Sequence, residues 1–299
     1  MASTVFITGT STGFGRAAAE LLARRGHKVI ATMRDPSGKN SAHRDALLKL
    51  AEREKLAIHV LELDVTSDDS VERAAAEAVS LVGNVDVLIN NAGFACLGVT
   101  EAFTAAEFRE LFETNFFGVI RVTRALLPVM RKQLRGRIIH VSSVAGRATR
   151  PYMAPYASSK FALEALAEAY RFELQPFGID TVLVEPGVYP TAIFGKTFTP
   201  RDRARAADYG QHDYSARVSE GFQNMLANPE LPGNHEVAEI FAKLIEMPQG
   251  TRPGRVLAGE MANRMFSTYN ADFENLRQGM VERFGLDHLL PAAAKKAAG

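Results

Sequence analysis

Three side chains in the middle of the chain could move a proton at a carbonyl group: Ser143, Tyr156 and Lys160. The tyrosine and the lysine are four residues apart, so on a helix they share one face. A free phenol has a pKa of about 10, which is too high for an efficient base near neutral pH. A neighbouring ammonium group lowers that pKa and would make Tyr156 a usable general acid or base. Taken alone, the pair is more typical of an aromatic stem beside a solvated lysine.

A glycine-rich turn at residues 8–15 is suited to binding a phosphate group. The apolar run 5–8 before it predicts a buried strand, and the alanine-rich run 16–25 after it predicts a helix that ends at Gly26. Strand, glycine turn and helix follow in the order that a dinucleotide fingerprint requires. Glycines let the backbone approach a pyrophosphate, and the helix N-terminus attracts its negative charge. An ordinary strand-to-helix turn is the alternative, because the glycine spacing departs from G-x-G-x-x-G.

The order of these and further motifs makes the chain resemble the short-chain dehydrogenase/reductase family over residues 3 to about 260. The glycine turn matches the family's TGxxxGxG motif, and Tyr156 and Lys160 match its YxxxK motif. Ser143 stands at the family's spacing from that tyrosine. Asn115 stands where the family carries an asparagine that kinks a helix. The remaining matches are an NNAG motif at Asn90, Asn91, Ala92 and Gly93, and the pair Pro186 and Gly187.

The resemblance implies an oxidoreductase in which hydride moves between a nicotinamide and a carbonyl carbon while Tyr156 exchanges a proton with the oxygen. Ser143 would donate a hydrogen bond to that oxygen, with Ser142 as the alternative. Lys160 would lower the tyrosine pKa and bind the nicotinamide ribose. Asn115 would hold a water in a proton relay, which is compatible with a side chain that bonds backbone at a helix irregularity.

A second hypothesis from the same resemblance is a catalytically silent dinucleotide sensor or scaffold, because a fold does not fix a function. The presence of the serine, the tyrosine and the lysine favours the enzyme. Residues 31–35 and the long segment after Pro186 and Gly187 are also similar to the branch of the family that acts on steroids and retinoids. A general ketone or aldehyde reductase is the other interpretation of these features.

The resemblance also assigns the residues that would bind a dinucleotide. Asp64 and Val65 would hold the adenine, although Asp64 could instead cap the helix that starts near Ser67. Thr191 would contact the nicotinamide amide or the pyrophosphate. Together with Tyr156 and Lys160, the predicted set is Gly9, Ser11, Thr12, Gly13, Phe14, Gly15, Arg34, Asp64, Val65, Asn90, Ala92, Gly93, Pro186, Gly187, Val188 and Thr191.

The end of the second predicted strand favours NADP(H) over NAD(H). Met33 stands where a carboxylate would accept hydrogen bonds from the ribose of NAD and repel a 2′-phosphate. Arg34 follows it, and a guanidinium can bind phosphate bidentately. Two alternatives stay open. Arg34 could be an ordinary surface arginine, and a shift of one residue would bring the carboxylate of Asp35 to the ribose.

Strand-like runs that alternate with helical patterns predict an α/β fold. We expect one doubly wound Rossmann domain, with about seven parallel strands and helices on both faces. The 299 residues suffice for one large core. We expect a catalytic domain over residues 1–260, with a substrate lid at about 189–234, and a C-terminal helical extension with a frayed tail over 261–299. The candidate strands lie near Val5, Val29, Ile58, Val87, Ile139, Val182 and Val256.

Composition excludes several classes of partner. The net charge of +1 gives no electrostatic case for nucleic acid or acidic membranes. Cys96 is the only cysteine, which rules out an internal disulfide and allows a reducing compartment; we interpret it as a small buried residue. The sequence shows no leader peptide and no membrane-length apolar run, so we expect a cytoplasmic protein with a small-molecule substrate. No metal site is expected.

Aromatic residues concentrate in the lid and in three predicted helices. In the lid they predict an apolar substrate, or else a lid anchored to the body. The segment 262–290 predicts an amphipathic helix that packs on the body, covers the cleft or contacts a partner subunit. Relatives pair the helices expected at 115–131 and 156–177 across a dimer axis, so we expect a homodimer or homotetramer. The lid aromatics are Phe194, Phe198, Tyr209, Tyr214 and Phe222.

Overall fold

The computed structural model describes residues 2–191, 193 and 197–290. The lid aromatic Phe194 and the predicted tail, residues 291–299, lie outside the described residues.

Seven parallel strands form one sheet, and each contains the position at which the sequence predicts a strand. They are β1 (Thr4–Ile7), β2 (Lys28–Met33), β3 (Ile58–Glu62), β4 (Val87–Asn90), β5 (Gly136–Val141), β6 (Ile179–Pro186) and β7 (Arg255–Ala258). Their order is β3-β2-β1-β4-β5-β6-β7. The chain changes direction across the sheet between β1 and β4, and in open α/β sheets this switch point creates a crevice at the carboxyl ends of the strands.

Helices connect the strands and cover both faces of the sheet. In the described residues they are α1 (Gly13–Arg24), α2 (Ser41–Glu54), α3 (Asp68–Val82), α4 (Ala105–Phe112), α5 (Gly118–Gln133), α6 (Ala154–Leu174), α7 (Arg203–Ala207), α8 (Ser215–Leu226), α9 (Asn234–Glu246) and α10 (Glu260–Arg283). The predicted doubly wound Rossmann architecture is confirmed.

Alternation along the strands divides the core into two layers. In β1, Val5 and Ile7 join the layer under α1 and α9, which includes Leu22 and Phe241. Phe6 points the other way and joins the layer under α3 and α5. Nearly continuous apolar strands are expected when helices cover both faces of a parallel sheet. The two layers hold the strand ends, and with them the site, in fixed positions.

The C-terminal helix forms as predicted, but it packs mainly through polar side chains. Asn270 and Arg277 of α10 face the body of the protein, where Asn270 donates a hydrogen bond to Glu185 at 2.6 Å. Most of the apolar side chains that suggested a packed stripe are exposed instead: Met265, Tyr269, Leu276, Met280 and Phe284. Buried charged side chains of the body, among them Glu185 and Arg147, are the partners of this polar face of α10.

Candidate active site

A cleft of about 220 Å³ opens at the carboxyl ends of the central strands. Most of the residues that the sequence predicts for catalysis and cofactor binding line it. They are Gly9, Ser11, Thr12, Gly13, Phe14, Ala92, Gly93, Ser143, Tyr156, Lys160, Pro186, Gly187, Val188 and Thr191. Turns that follow β1, β4, β5 and β6, together with the first turns of α6, therefore bring one set of side chains to one place.

Tyr156 and Ser143 are paired inside this cleft. Ser143 lies two residues after β5, directly before the 3-10 turn Val144–Gly146, and Tyr156 lies in the first turn of α6. Burial raises the pKa of the Tyr156 phenol, while a hydrogen bond with the Ser143 hydroxyl and the nearby Arg150 guanidinium lower it. Burial is the largest of these effects, so the phenol holds its proton at neutral pH. Ser142 is also buried at the cleft, but it is Ser143 that bonds the tyrosine.

Lys160 lies beside Tyr156, with its ammonium nitrogen 5.9 Å from the centre of the phenol ring. The ammonium group donates a hydrogen bond to the backbone oxygen of Val141 at 2.8 Å. Burial lowers the lysine pKa to about 8, and Glu164 opposes that shift. Arg150, rather than Lys160, is thus the cation that lowers the Tyr156 pKa.

Asn115 lies outside the cleft and connects two segments that border it, the loop after β4 and helix α6. It lies in the centre of a five-residue π-helical turn, Glu113–Phe117, between α4 and α5. Its amide accepts a hydrogen bond from the Phe94 nitrogen at 3.1 Å and donates one to the Phe94 oxygen at 3.0 Å. It also donates to Ser159 of α6 at 3.1 Å. The backbone contact expected at a helix irregularity is present, and the water relay stays a prediction.

The glycine turn approaches β4 so closely that side chains would not fit. A Cβ on Gly9 would lie 2.9 Å from the Cα of Ala92, and Gly9 has a φ of +73°. A Cβ on Gly15 would lie 2.4 Å from the Gly9 oxygen. Asn91 fastens the turn by donating to the backbone oxygens of Thr8 and Gly9 at 2.8 and 3.1 Å. The glycines are needed for this close packing.

The first turn of α1 faces the cleft and suits an anion. The helix begins at Gly13, earlier than the sequence predicts, so the glycine turn is itself the helix N-terminus. No acidic residue stands in the first turn, which leaves the positive end of the helix dipole uncompensated. Thr191 lies over Gly13, within 3.7 Å of where a Cβ would be. These residues fit the pyrophosphate of a dinucleotide.

Asn90 is a predicted cofactor residue whose side chain faces the core. Its amide donates to Thr123 at 3.2 Å and lies 3.3 Å from Nδ1 of His140. The neighbouring Asn91 lines the cleft instead. Successive side chains on a strand point to opposite faces. The position of Asn90 on β4 could therefore have indicated that its side chain faces the core and that the next one faces the cleft.

Asp64 and Val65 follow the end of β3 and are not among the residues that line the cleft. The Asp64 carboxylate accepts hydrogen bonds from the backbone nitrogen and hydroxyl of Thr66, at 2.9 and 2.7 Å. Ser67, not Asp64, is the N-cap of α3 and accepts from the Ser70 nitrogen. The alternative of Asp64 as the helix cap is therefore wrong, and its adenine contact stays a prediction.

The end of β2 presents Arg34 to solvent. Met33 is buried, with 2% of its surface exposed, whereas Arg34 is exposed. Asp35 adopts a φ of +47°, and its carboxylate accepts a hydrogen bond from the Lys39 nitrogen at 2.7 Å. Within the described chain, no group hydrogen-bonds or pairs with the Arg34 guanidinium. The arginine is thus available to a ligand, while the aspartate is engaged in its own loop.

The described aromatic residues of the predicted lid have different positions: one lines the cleft, and the others contact the body of the protein or lie exposed. Phe222 of α8 lines the cleft. Phe198 packs against Phe94 and Phe103, with ring centres 5.8 and 5.6 Å apart, and so anchors the lid. The Tyr209 hydroxyl donates to Glu101 at 2.9 Å outside the cleft, and Tyr214 is exposed.

Sequence reasoning did not identify several residues at the substrate end of the cleft. These are Ala95, Arg150, Met153 and Ile193. Cys96, next to Ala95, is fully buried, and burial raises its pKa to about 12, as expected for a small core residue. The described residues hold no group of histidine, cysteine, aspartate or glutamate side chains fit for a metal. Among them, no helix has the length and apolar character needed to cross a membrane.

Comparisons with known proteins agree with this geometry. Residues 3–202 match the sequence profile of the short chain dehydrogenase family. The chain is 41% identical over 239 residues to an uncharacterized oxidoreductase of Bacillus subtilis, covering 80% of this chain and 82% of the relative. It is 36% identical over 256 residues to a retinol dehydrogenase 8 of Bos taurus, covering 81% and 77%.

Solved structures give the same result for the fold. A short-chain dehydrogenase from Streptomyces avermitilis superposes with a TM-score of 0.75 at 31% identity, over 95% of this chain and 98% of that one. An actinorhodin polyketide ketoreductase solved with NADPH has a TM-score of 0.70 at 26% identity, over 86% and 95%. A Burkholderia phymatum relative solved with NAD, at 24% identity and a TM-score of 0.74 over 93% and 95%, shares the fold. The neighbours therefore include proteins bound to either nicotinamide cofactor.

Proposed function

The chain belongs to the short-chain dehydrogenase family, and from this premise we propose that it is an NADP(H)-dependent oxidoreductase. It transfers hydride between the nicotinamide and the carbonyl or alcohol of an apolar ketone or secondary alcohol. The observation that carries the proposal is the hydrogen-bonded pair of Ser143 and Tyr156, buried in a cleft continuous with the glycine turn. A buried phenol without such a cleft would be only a core residue.

The reaction follows from the protonation states of the cleft. The cofactor supplies or accepts the hydride. Tyr156 holds its proton at neutral pH because burial raises its pKa, so it can donate that proton to the oxygen of a carbonyl under reduction. Ser143 can donate a hydrogen bond to the same oxygen. The ammonium of Lys160 keeps positive charge beside the phenol and can bind ribose hydroxyls.

Preference for NADP(H) is supported by three observations at the end of β2. Arg34 is exposed and without a partner in the described chain, as a phosphate-binding arginine would be before its ligand arrives. Met33 offers no carboxylate to a ribose. Asp35 turns its carboxylate into the loop, toward the Lys39 nitrogen. The alternative in which Asp35 faces the ribose would require that loop to open.

An apolar substrate is supported by the side chains at the end of the cleft beyond Tyr156. Met153, Val188, Ile193 and Phe222 line this part. The likeness to a retinol dehydrogenase 8, named for an apolar alcohol, points in the same direction. The exact carbonyl compound is a matter for direct screening.

We also propose a homodimer or homotetramer that forms through α5 and α6. Phe117, in the π-helical turn before α5, and Phe161 of α6 are 42% and 44% exposed and would be covered in such an interface. Light scattering at micromolar protein should give at least twice the mass of one chain. A single-chain mass would contradict this part of the proposal.

The proposed function is tested by screening ketones, aldehydes and secondary alcohols against NADPH, NADH and their oxidised forms. Wild type should oxidise NADPH in the presence of a carbonyl. Tyr156→Phe removes the ionisable oxygen and should lower turnover by roughly 100-fold or more. NADPH binding, measured by fluorescence, serves as the folding control for this variant. Binding without turnover of any compound by wild type would instead indicate a catalytically silent dinucleotide sensor.

A further inference from the structure

Arg150 places a positive charge in the otherwise apolar substrate end of the cleft. It lines the cleft with Met153, Tyr156, Ile193 and Phe222. Its guanidinium carbon lies 5.5 Å from the centre of the Phe222 ring, so it is held over a side chain of the lid helix α8. Burial lowers the pKa of Arg150, which shows that the group has lost part of its hydration. An arginine nevertheless keeps its charge at physiological pH.

In the described part of the chain, no carboxylate forms a salt bridge with Arg150. Other buried arginines have acceptors: Arg252 pairs with Asp180, and Arg255 pairs with Glu185 at 2.9 Å and with two further glutamates. Arg171 donates hydrogen bonds to two backbone oxygens, those of Thr181 and Arg252, at 3.1 and 3.2 Å. A partly dehydrated, unpaired charge is unfavourable in the free protein, and an anion bound beside it would offset that cost.

We propose that Arg150 binds a carboxylate of the substrate, and that the preferred substrate is an amphipathic oxo acid or the matching hydroxy acid. This inference rests on the proposed function, because Tyr156 must act on the carbonyl. In reduction, the carbonyl carbon gains hydride from NADPH, its oxygen gains the Tyr156 proton, and the carboxylate is unchanged. A planar guanidinium offers two parallel N–H groups to a carboxylate, which matches this anion well. The apolar chain between the groups would contact Met153 and Phe222.

The anionic groups of the cofactor have other candidate partners. The first turn of α1 suits the pyrophosphate, and Arg34 suits a 2′-phosphate. Arg150 lies at the other end of the cleft, next to Tyr156 and Phe222. NADPH affinity should therefore be independent of Arg150, and this independence separates substrate recognition from cofactor recognition.

The test compares straight-chain oxo acids with their methyl esters, with the oxo group moved along a chain of fixed length. Wild type should prefer the acid at one or more oxo positions. Arg150→Met removes the charge and keeps much of the volume. It should lower the ratio of kcat/KM for that acid to kcat/KM for its ester by roughly 10- to 100-fold, the range of a charge-assisted hydrogen bond. Arg150→Lys should retain part of the preference.

Two results would overturn the inference. Wild type could use acid and ester equally at every oxo position. Alternatively, Arg150→Met could lower kcat/KM for both compounds to the same extent, which would make Arg150 a residue that acts through the Tyr156 pKa. Unchanged NADPH affinity in Arg150→Met serves as the control for folding.

A binding measurement keeps the inference independent of turnover and of the variant's folding. Calorimetry on the wild-type NADP⁺ complex should detect an unbranched alkanoate and should not detect its primary amide. Equal binding of both, or of neither, would overturn the inference. If no carbonyl compound is turned over but the alkanoate binds selectively, the proposed function fails and the carboxylate site stands.

Discussion

One face of helix α6 meets two buried cations whose surroundings differ. At the cleft, Lys160 of α6 is 5% exposed, and a backbone oxygen is its hydrogen-bond acceptor. Farther along the same face, the Arg255 side chain is 7% exposed and contacts Glu164, Glu168 and Glu185. Both cations are almost fully buried, so the difference lies in the ion pairs. Arg255 is held by carboxylates and stabilises the fold, whereas Lys160 forms no ion pair in the described part of the chain and lines the cleft, where it is available to a ligand.

The polar contacts around Arg255 extend from α6 to the C-terminal helix, α10. Asn270 of α10 donates to Glu185 at 2.6 Å and accepts from Arg147 at 3.0 Å. The Arg147 guanidinium stacks 4.5 Å from the centre of the Phe273 ring. Burial and the neighbouring Glu164 raise the pKa of the Glu185 carboxyl above its usual range. We call Arg147, Glu164, Glu185, Arg255 and Asn270 the ionic cluster.

The largest expected effect comes from removing the cation of the ionic cluster. Arg255→Met leaves buried carboxylates without their positive partner, and the free energy of unfolding should fall by about 3–5 kcal/mol. Urea unfolding at neutral pH measures this change. Arg24→Met is the matched control, since Arg24 forms a half-exposed pair with Glu54 and should cost less than about 1 kcal/mol. Equal effects for the two variants would contradict the structural assignment of Arg255.

Lys160→Met should give the opposite pattern. Turnover should fall by roughly 100-fold or more and NADPH should bind more weakly, because the ammonium beside the phenol is lost. Stability should be unchanged or higher, because a methionine in an apolar site avoids the desolvation of a charge. Steady-state kinetics and urea unfolding on the same preparation check both parts. Lys49→Met, on the exposed side of α2, is the control, and a strongly destabilised Lys160→Met would erase the contrast with Arg255.

Arg34 is a third cation, and it is exposed rather than buried. It tests whether a cation outside any ion pair contributes to ligand binding. Arg34→Ala should lower kcat/KM for NADPH by roughly 10- to 100-fold and leave NADH unchanged. The assays need one stated ionic strength, because salt weakens an exposed phosphate contact. Lys49→Ala controls for the loss of one positive charge.

Equal use of NADH and NADPH by wild type would contradict this prediction and would indicate that Asp35 faces the ribose. The variant Met33→Asp with Arg34→Ala should favour NADH, although Met33 is buried and the new carboxylate must reach the ribose.

The smallest expected effect is a dependence of stability on pH that belongs to Lys160. Its pKa is lowered to about 8 in the fold from 10.5 in the unfolded chain, so the unfolded state binds more protons between these values. The stability of wild type should therefore rise with pH, by about 1 kcal/mol from about pH 7.5 to about pH 9, relative to Lys160→Met. Urea titrations of the cofactor-free proteins measure the difference. If the stability of wild type relative to Lys160→Met stayed constant or fell as the pH rises, the Lys160 ammonium would not be desolvated in the folded protein.

Local patterns predicted the parts of the molecule that depend on neighbours in sequence. The seven strands, the glycine turn and the Tyr156–Lys160 spacing follow from periodicity and motif order. The ionic cluster was not predicted, since Glu164, Glu185 and Arg255 meet only through the sheet order. For the same reason the packed face of α10 was misjudged: Asn270 contacts Glu185 and Arg147, which the helix pattern does not show. Arg150 was missed because its significance depends on its place in the cleft and on the absence of a paired carboxylate among the described residues, which only a structure reveals.

The central claim is that hydride passes from NADPH to a carbonyl carbon in this cleft, with Tyr156 supplying the proton. The most direct test supplies NADPH deuterated at C4 of the nicotinamide together with the best carbonyl from the screen, and analyses the alcohol by mass spectrometry and NMR. We expect one deuterium at the carbinol carbon, with transfer roughly 100-fold or more slower in Tyr156→Phe at equal NADPH occupancy. Consumption of NADPH without deuterium in the alcohol, or equal transfer by the variant, would contradict the account.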